Sequence, residues 1–307
     1  MPKGRIVNEG RGIITHNDRL ILDVSRQFSI GKDHKEIKLS HKVLNSIQLP
    51  RCYSTTETVA VLAFLGGNNL FHWITEGLPK LAILRKSSPI DINAIDKFVV
   101  NKGFPAIQES LEMLGIHNSK LIFIDSECHI KAEKLIVPSF PGSTGDPPGW
   151  VCNFLRESLL KHRKPITPIS NRLYISRAKA KHRKVVNEEN VIHYLEGMGF
   201  KTIFLEDHDL ATQISLFSNA EAVVAPHGAG LTNLMWCSPR TKVLEFFSPN
   251  YVNVCFWAIA NQINLDYFYL VGDGKWPPDY IDPHIMSDDI SVSIEKLSET
   301  LELMHLS

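Results

Sequence analysis

The sequence predicts two α/β lobes joined by a linker, and three observations carry that expectation. At 307 residues the chain is too long for a comfortable single core and suits two domains of ordinary size. In its second half, apolar runs of strand length alternate with stretches of helical periodicity, which means a parallel sheet with helices on both faces. Between the halves lies "PSFPGSTGDPPG", residues 138–149, dense in proline, glycine and small polar residues. The expected domains are therefore 1–140, 141–275 and a closing segment with a helix at 276–307.

Taken in order, "RGIITHNDRLILDV" (11–24) reads as a hairpin turning at Asn17-Asp18. "ETVAVLAFL" (57–65) is a buried strand ended by Gly66-Gly67. In "NNLFHWITEGLPKLAILRK" (68–86), Leu70, Trp73, Ile74, Leu78, Leu81 and Leu84 recur at helical spacing, with Asn68 or Asn69 to cap the start. Pro79 inside that pattern predicts a kink or a break. Strands at 96–101, 120–125 and 134–138 and a helix at 105–114 complete the first lobe. The second opens with a strand at 172–176 and a helix at 187–199, capped by Asn187, with Glu188 and Glu189 in its positive first turn and Gly199 to stop it. Then come a strand (201–206), a helix (209–220), the strand "AVVA" (222–225), a helix "LTNLMW" (231–236) and a strand (241–247). "ISVSIEKLSETLELM" (290–304) is a closing amphipathic helix with Asp288-Asp289 as cap and dipole partners. The four acids within 279–289 lack the spacing of an EF-hand. Trp276 with Pro277-Pro278 could line an acceptor groove.

Composition excludes several classes. With 44% hydrophobic and 21% charged residues the chain is a soluble globular protein. Lysine plus arginine equals aspartate plus glutamate at 33 each, which argues against a general nucleic-acid binder and leaves room for one local basic pocket. No apolar run approaches the roughly 18–20 residues of a membrane span, and the polar start "MPKGRIVNEGRG" has no signal-peptide core. Cys52, Cys128, Cys152, Cys237 and Cys255 are odd in number and contain no C-x-x-C pair. They read as reduced, mostly buried thiols of a cytoplasmic protein.

Ligands of open parallel sheets bind past the carboxyl ends of the strands, and three loops there carry unusual chemistry. "SRAKAKHRKVVNEE" after strand 172–176 holds Arg177, Lys179, Lys181, Arg183 and Lys184. "PHGAG", with His227, Gly228, Ala229 and Gly230, follows strand 222–225, and Glu245 lies near the end of strand 241–247. A glycine-alanine turn lets backbone amides approach an anion, a following helix adds its positive end, and arginines supply permanent planar donors. Glu245 could accept two sugar hydroxyls, as a ribose requires. Alone, the turn could be tight packing and the basic run a solvated surface; neither account explains why they coincide at strand ends of one sheet. The G-x-G-x-x-G and G-x-x-x-x-G-K-[ST] patterns are absent, so a nucleotide diphosphate is expected and neither NAD nor ATP is indicated. In the first lobe His72 and Glu76 share one helix face. No third ligand or H-E-x-x-H pattern makes them a zinc site. They are either a general base and its partner facing a cleft between lobes, or a half-buried structural histidine beside a surface glutamate.

"NNLFHWITEGLPKL", "RLYISRAKAKHRKVVNEENV" and "AEAVVAPHGAGLTNLMWCSPRTKVLEFFSP" together resemble glycosyltransferase family 61, in order and spacing, over about residues 10–270. The resemblance implies a GT-B fold of two facing Rossmann-like lobes with a cleft between them, donor nucleotide in the C-terminal lobe and acceptor in the N-terminal one. It implies an inverting, metal-independent enzyme that needs no cofactor. Family donors include UDP-xylose, UDP-N-acetylglucosamine and UDP-arabinose, and bacterial members act in capsule and lipopolysaccharide synthesis. Carried over, it puts Arg177 and Arg183 on the donor pyrophosphate, with His227, Gly228, Ala229, Gly230 and Asn233 around it, Lys181 and Asn187 on the same donor loop, and Glu245 on the ribose. Glu76 occupies the acidic place of the H-W-x-x-[DE] segment and is the favoured base, with His72 its rival. The chain lacks the N-terminal anchor of eukaryotic members, which suggests a bacterial cytoplasmic enzyme, compatible with peripheral association at the inner membrane face. Gly77 and Lys80 stand where the family pattern has a bulkier residue and an arginine. The expected partners are a nucleotide-sugar donor and a glycan or lipid-linked glycan acceptor, with no nucleic acid. Two other functions compete: a nucleotide-sugar epimerase or hydrolase of the same fold, and a non-catalytic lectin-like or scaffold lobe of a polysaccharide assembly complex.

Overall fold

The computed structural model describes residues 1–27, 41–46, 48–87, 91–165, 170–274 and 287–306. Trp276, Pro277, Pro278 and the acids Asp279 and Asp282 lie outside the described residues. The chain forms two compact units, Met1–Phe154 and Leu155–Ser307. Each has its own sheet, so the fold is α/β in both halves.

The first unit is a six-stranded sheet ordered β2-β1-β6-β3-β4-β5, from β1 (Arg5–Val7), β2 (Gly12–Ile14), β3 (Tyr53–Val61), β4 (Lys97–Asn101), β5 (Leu121–Ile124) and β6 (His129–Ile136). β6-β3-β4-β5 pair in parallel, while β1 runs antiparallel to both of its neighbours. Ile6, Ile13, Val59, Val61, Val99, Ala132 and Leu135 make one of its cores. The hairpin expected at 11–24 survives as a bridge between Ile14 and Leu20 around the Asn17-Asp18 turn. The main partner of β2 is instead β1, too short at three residues to announce itself by alternation. The strand expected at 57–65 starts earlier and stops at Val61, and that expected at 134–138 begins at His129.

Asn69 caps the turn Leu70–His72 by accepting from the Phe71 amide at 2.9 Å. The break expected at Pro79 takes a specific form. Proline has no N–H to give the carbonyl four residues back, and the preceding Leu78 amide reaches five residues back, to Trp73 O at 2.9 Å. Trp73–Gly77 is therefore a π-turn, a feature that concentrates at functional sites, and α1 (Pro79–Ser87) continues beyond it. Gly77 is required by packing: a Cβ there would sit 2.6 Å from Trp73 Cε3. α2 (Pro105–Met113) follows, and α3 (Gly149–Leu159), absent from the sequence reading, spans the point where the first unit ends and the second begins.

The second unit is a five-stranded, wholly parallel sheet ordered β11-β10-β9-β7-β8. Its strands are β7 (Arg172–Ile175), β8 (Phe200–Ile203), β9 (Ala222–Pro226), β10 (Lys242–Phe247) and β11 (Asp266–Val271). β9 is buried along its whole length, as a central parallel strand must be. α4 (Glu188–Gly197), α5 (Leu210–Ser218), α6 (Cys255–Gln262) and α7 (Ile294–Leu303) complete it. Tyr174, Leu195, Val224, Phe246, Leu297 and Leu301 pack one of its cores. Three local expectations are corrected. Residues Ala229–Trp236 form a 3₁₀ helix rather than an α-helix. Asn187 does not cap α4 through its side chain: it bonds the Val292 backbone in both directions, at 2.7 and 3.0 Å. Asp288 and Asp289 do not cap α7, which is capped by Ser293 accepting from the Lys296 amide; they accept instead from Asn250 and from the Lys184 amide. No helix among the described residues is long and apolar enough to cross a membrane. All five thiols are free; Cys52 is exposed and the other four are buried.

Candidate active site

In the second unit the three chemically unusual loops leave adjacent strands. β7 has β8 on one side and β9 on the other. The chain thus builds outward from β7 in both directions, and the loops after β7 and β9 flank the switch point where open parallel sheets bind ligands.

Arg177 enters this point from the β7 end. Its guanidinium is half-buried, donates to the carbonyls of Arg183 (3.3 Å) and His182 (2.9 Å), and makes no ion pair among the described residues. Burial, then the nearby Arg183 charge, hold it down at about 10, with Glu206 opposing. A desolvated cation beside a like charge, satisfied only by carbonyls, is poised for an anion. It lies flat against Gly228, where a Cβ would come within 2.6 Å of its Cζ. Arg183 stands over the Tyr251 ring at 5.4 Å and holds a left-handed backbone at φ 55°, a conformation uncommon outside glycine and concentrated at functional sites. Gly228 opens the 3₁₀ helix, whose first amides, Ala229 and Gly230, precede any intrahelical partner.

His227 sits between Phe247, Tyr251 and Phe256, with ring centroids 5.2–5.3 Å away. Its Nδ1 bonds Glu245 Oε1, and the Tyr267 hydroxyl donates to Glu245 Oε2. Glu245 is completely buried. Burial raises its carboxyl, while the bonds from His227 and Tyr267 pull the other way. Both its oxygens are thus engaged from within the protein. Asn233 is likewise internal: it donates to Gln213 and Gly230 O and accepts from Trp236 Nε1 at 2.9 Å, locking the turn. Lys181 is exposed on the loop, and Lys179 pairs with Asp207 at 2.6 Å. The structure thus gathers Arg177, Arg183, His227 and Gly228. Asn187, Asn233 and Glu245 make side-chain bonds to other protein groups. Tyr267, which no motif marks, completes the group.

The first unit carries a second cluster. His72 Nδ1 lies 2.7 Å from Glu76 Oε1. Glu76 Oε2 accepts from Arg26 and from Thr144 Oγ1. The Glu76 side chain is 3% exposed and that of His72 24%, so the histidine faces solvent and the glutamate stands behind it. Lys80 is buried nearby, its Nζ 3.3 Å from Leu62 O and 4.8 and 4.5 Å from the Phe64 and Phe140 ring centroids. Arg26, Thr144 and Phe140 are distant in sequence from the helix they serve, which is why spacing alone does not find them. Among the described residues no group of three or more His, Cys, Asp or Glu is placed to hold a metal ion.

Arg177 and Arg183 beside the HGAG turn make the end of a parallel sheet electropositive in this α/β protein. The model of the family Glycosyltransferase 61 matches residues 70–244, more than half of the chain, and spans the His72 helix, the arginine loop and the HGAG turn. The chain belongs to that family and is a glycosyltransferase, with a sugar donor and an acceptor as its substrates. No curated protein matches it.

Proposed function

We propose that this glycosyltransferase is an inverting, metal-independent GT-B enzyme. It moves a sugar from a nucleotide diphosphate, UDP in the first instance, to a glycan hydroxyl in bacterial surface-polysaccharide synthesis, with donor residues in 141–275 and acceptor residues in 1–140. The observation that carries the donor side is the Arg177 guanidinium, half-buried at the switch point without an ion pair among the described residues and pressed on Gly228. In the reaction, the acceptor oxygen gives its proton to a base as it attacks the anomeric carbon. The bond from that carbon to the diphosphate breaks, and the charge left on the diphosphate meets Arg177, Arg183, His227 and the amides of Ala229 and Gly230.

His72 is the better base, and Glu76 its positioning partner. A carboxylate that is 3% exposed and bonded to an arginine is a poor proton acceptor for an incoming hydroxyl. A histidine that donates a hydrogen bond from Nδ1–H to that carboxylate has Nε2 as its basic nitrogen. Calorimetric titration with UDP, CDP and GDP, with and without EDTA, tests the donor site. One diphosphate should bind equally with EDTA present, and Arg177→Ala should weaken it while costing about 2–4 kcal/mol in the transition state. Failure of every diphosphate to bind overturns the donor assignment. His72→Gln should abolish turnover; near-wild-type turnover in that variant returns the base role to Glu76.

A further inference from the structure

The family match begins at residue 70, yet the acceptor-side cluster depends on a side chain well before it. Arg26 sits just beyond the short 3₁₀ turn Leu22–Val24. Its Nη1 donates to Glu76 Oε2 and to Thr144 Oγ1 at 2.7 Å, and its Nη2 donates to Gly142 O at 2.7 Å. The Cζ lies 3.5 Å over the centroid of Phe140. Thr144 closes the ring with its own bond to Glu76 Oε2 at 3.3 Å. One guanidinium therefore ties three segments together: its own, the π-turn that carries Glu76, and the proline-glycine segment 138–149. The planar fork suits this task because each nitrogen can meet a different partner without bending.

We propose that Arg26 is a positioning residue of the acceptor site, clamping Glu76 so that Glu76 in turn fixes the ring orientation and tautomer of His72. The proposal rests on the reading of His72 as the base, but its geometry does not involve the substrate. The Glu76 carboxylate faces three titratable or charged groups: Arg26, His72 and Lys80. With Arg26 in place the Glu76 carboxylate is bonded on one side to a guanidinium and Thr144 and on the other to His72 Nδ1, which fixes its orientation toward the ring. Without Arg26, the His72–Glu76 pair loses a neighbouring positive charge and its proton affinity rises, whichever partner carries the proton.

The test is the titration of His72 by ¹⁵N NMR in the full chain, its signal assigned by loss in His72→Gln. Arg26→Gln should raise the His72 midpoint by about one pH unit and shift its Nδ1–H tautomer population. Measurement in a Lys80→Met background prevents the buried amine from offsetting the shift. Arg26→Lys keeps the charge but cannot reach Glu76, Thr144 and Gly142 together, so it should give a smaller shift in the same direction. It is also the deciding variant if Arg26→Gln does not fold. In Glu76→Gln the effect of either substitution should vanish. An unmoved midpoint and tautomer, or an equal shift with Glu76→Gln present, overturns the clamp. The base reading fails separately, if His72→Gln keeps its turnover.

Discussion

Lys80 is a buried amine whose placement costs stability. Burial, then the Arg26 charge, hold its ammonium down at about 7 from an ordinary 10.5, with Glu76 pulling the other way. Its hydrogen bond to Leu62 O, at 3.3 Å, is long, and the Phe64 and Phe140 faces give partial compensation. Between about 7 and 10.5 the unfolded chain binds the lysine proton and the folded chain does not. Stability should therefore rise with pH across that window, by at most about 1.4 kcal/mol per pH unit from this group. Lys80→Met removes the slope. Denaturant unfolding of both proteins from pH 6.5 to 10.5 should show the variant gaining most near neutrality, with the gain fading toward the alkaline end. Parallel stability curves would mean that the amine is charged throughout. The opposite economy holds at Glu245, whose burial is matched by two internal donors. Glu245→Gln still accepts from one of them, so it should weaken diphosphate binding, through a looser His227, more than it lowers the melting temperature.

At the scale of elements, two turns set the chemistry, and both depend on a missing side chain or a missing proton. Pro79 withholds an amide and Gly77 a Cβ, and together they make the π-turn that carries Glu76. Gly228 withholds a Cβ where the Arg177 guanidinium rests. Gly228→Ala should push that guanidinium aside, since its far end can move while the backbone cannot. The expected result is a fall in diphosphate affinity of about ten-fold or more, by calorimetry, with circular dichroism and melting close to wild type. Equal losses of affinity and stability would make Gly228 a folding residue instead. These turns also mark what the sequence could tell. Strands β7 to β10 and helices α4 and α5 were legible because parallel strands buried on both faces read as apolar runs, and the arginine loop and HGAG turn because each is contiguous; α6 and β11 were not read. β1 was too short for a pattern. Tyr267, Arg26, Thr144 and Phe140 reach their sites only through tertiary packing, and no periodicity encodes that. Helical spacing placed His72 and Glu76 on one face but not which of them faces solvent. That followed from a guanidinium fifty positions away in sequence.

The molecule divides into two units, and two of its core clusters each lie within one of them: the Ile6–Leu135 cluster in the first and the Tyr174–Leu306 cluster in the second. Every residue proposed for the donor comes from the second unit, and every residue of the His72 cluster from the first. A diphosphate without its sugar should therefore stabilise one unit selectively. At a hundred times its dissociation constant, binding adds about 2.7 kcal/mol, close to a hundred-fold slowing of exchange for amides released only by global opening of that unit. Hydrogen exchange read by mass spectrometry can resolve this along the chain. Peptides covering β7, β9 and β10, with the loops at 176–187 and 227–231, should gain protection, while peptides covering β3, the 70–87 helical segment and β6 should exchange as before. Arg177→Ala should erase the gain. Protection spread evenly over both units would mean that they open as one cooperative body, and the donor's stabilising effect would then be a property of the whole chain rather than of the sheet that binds it.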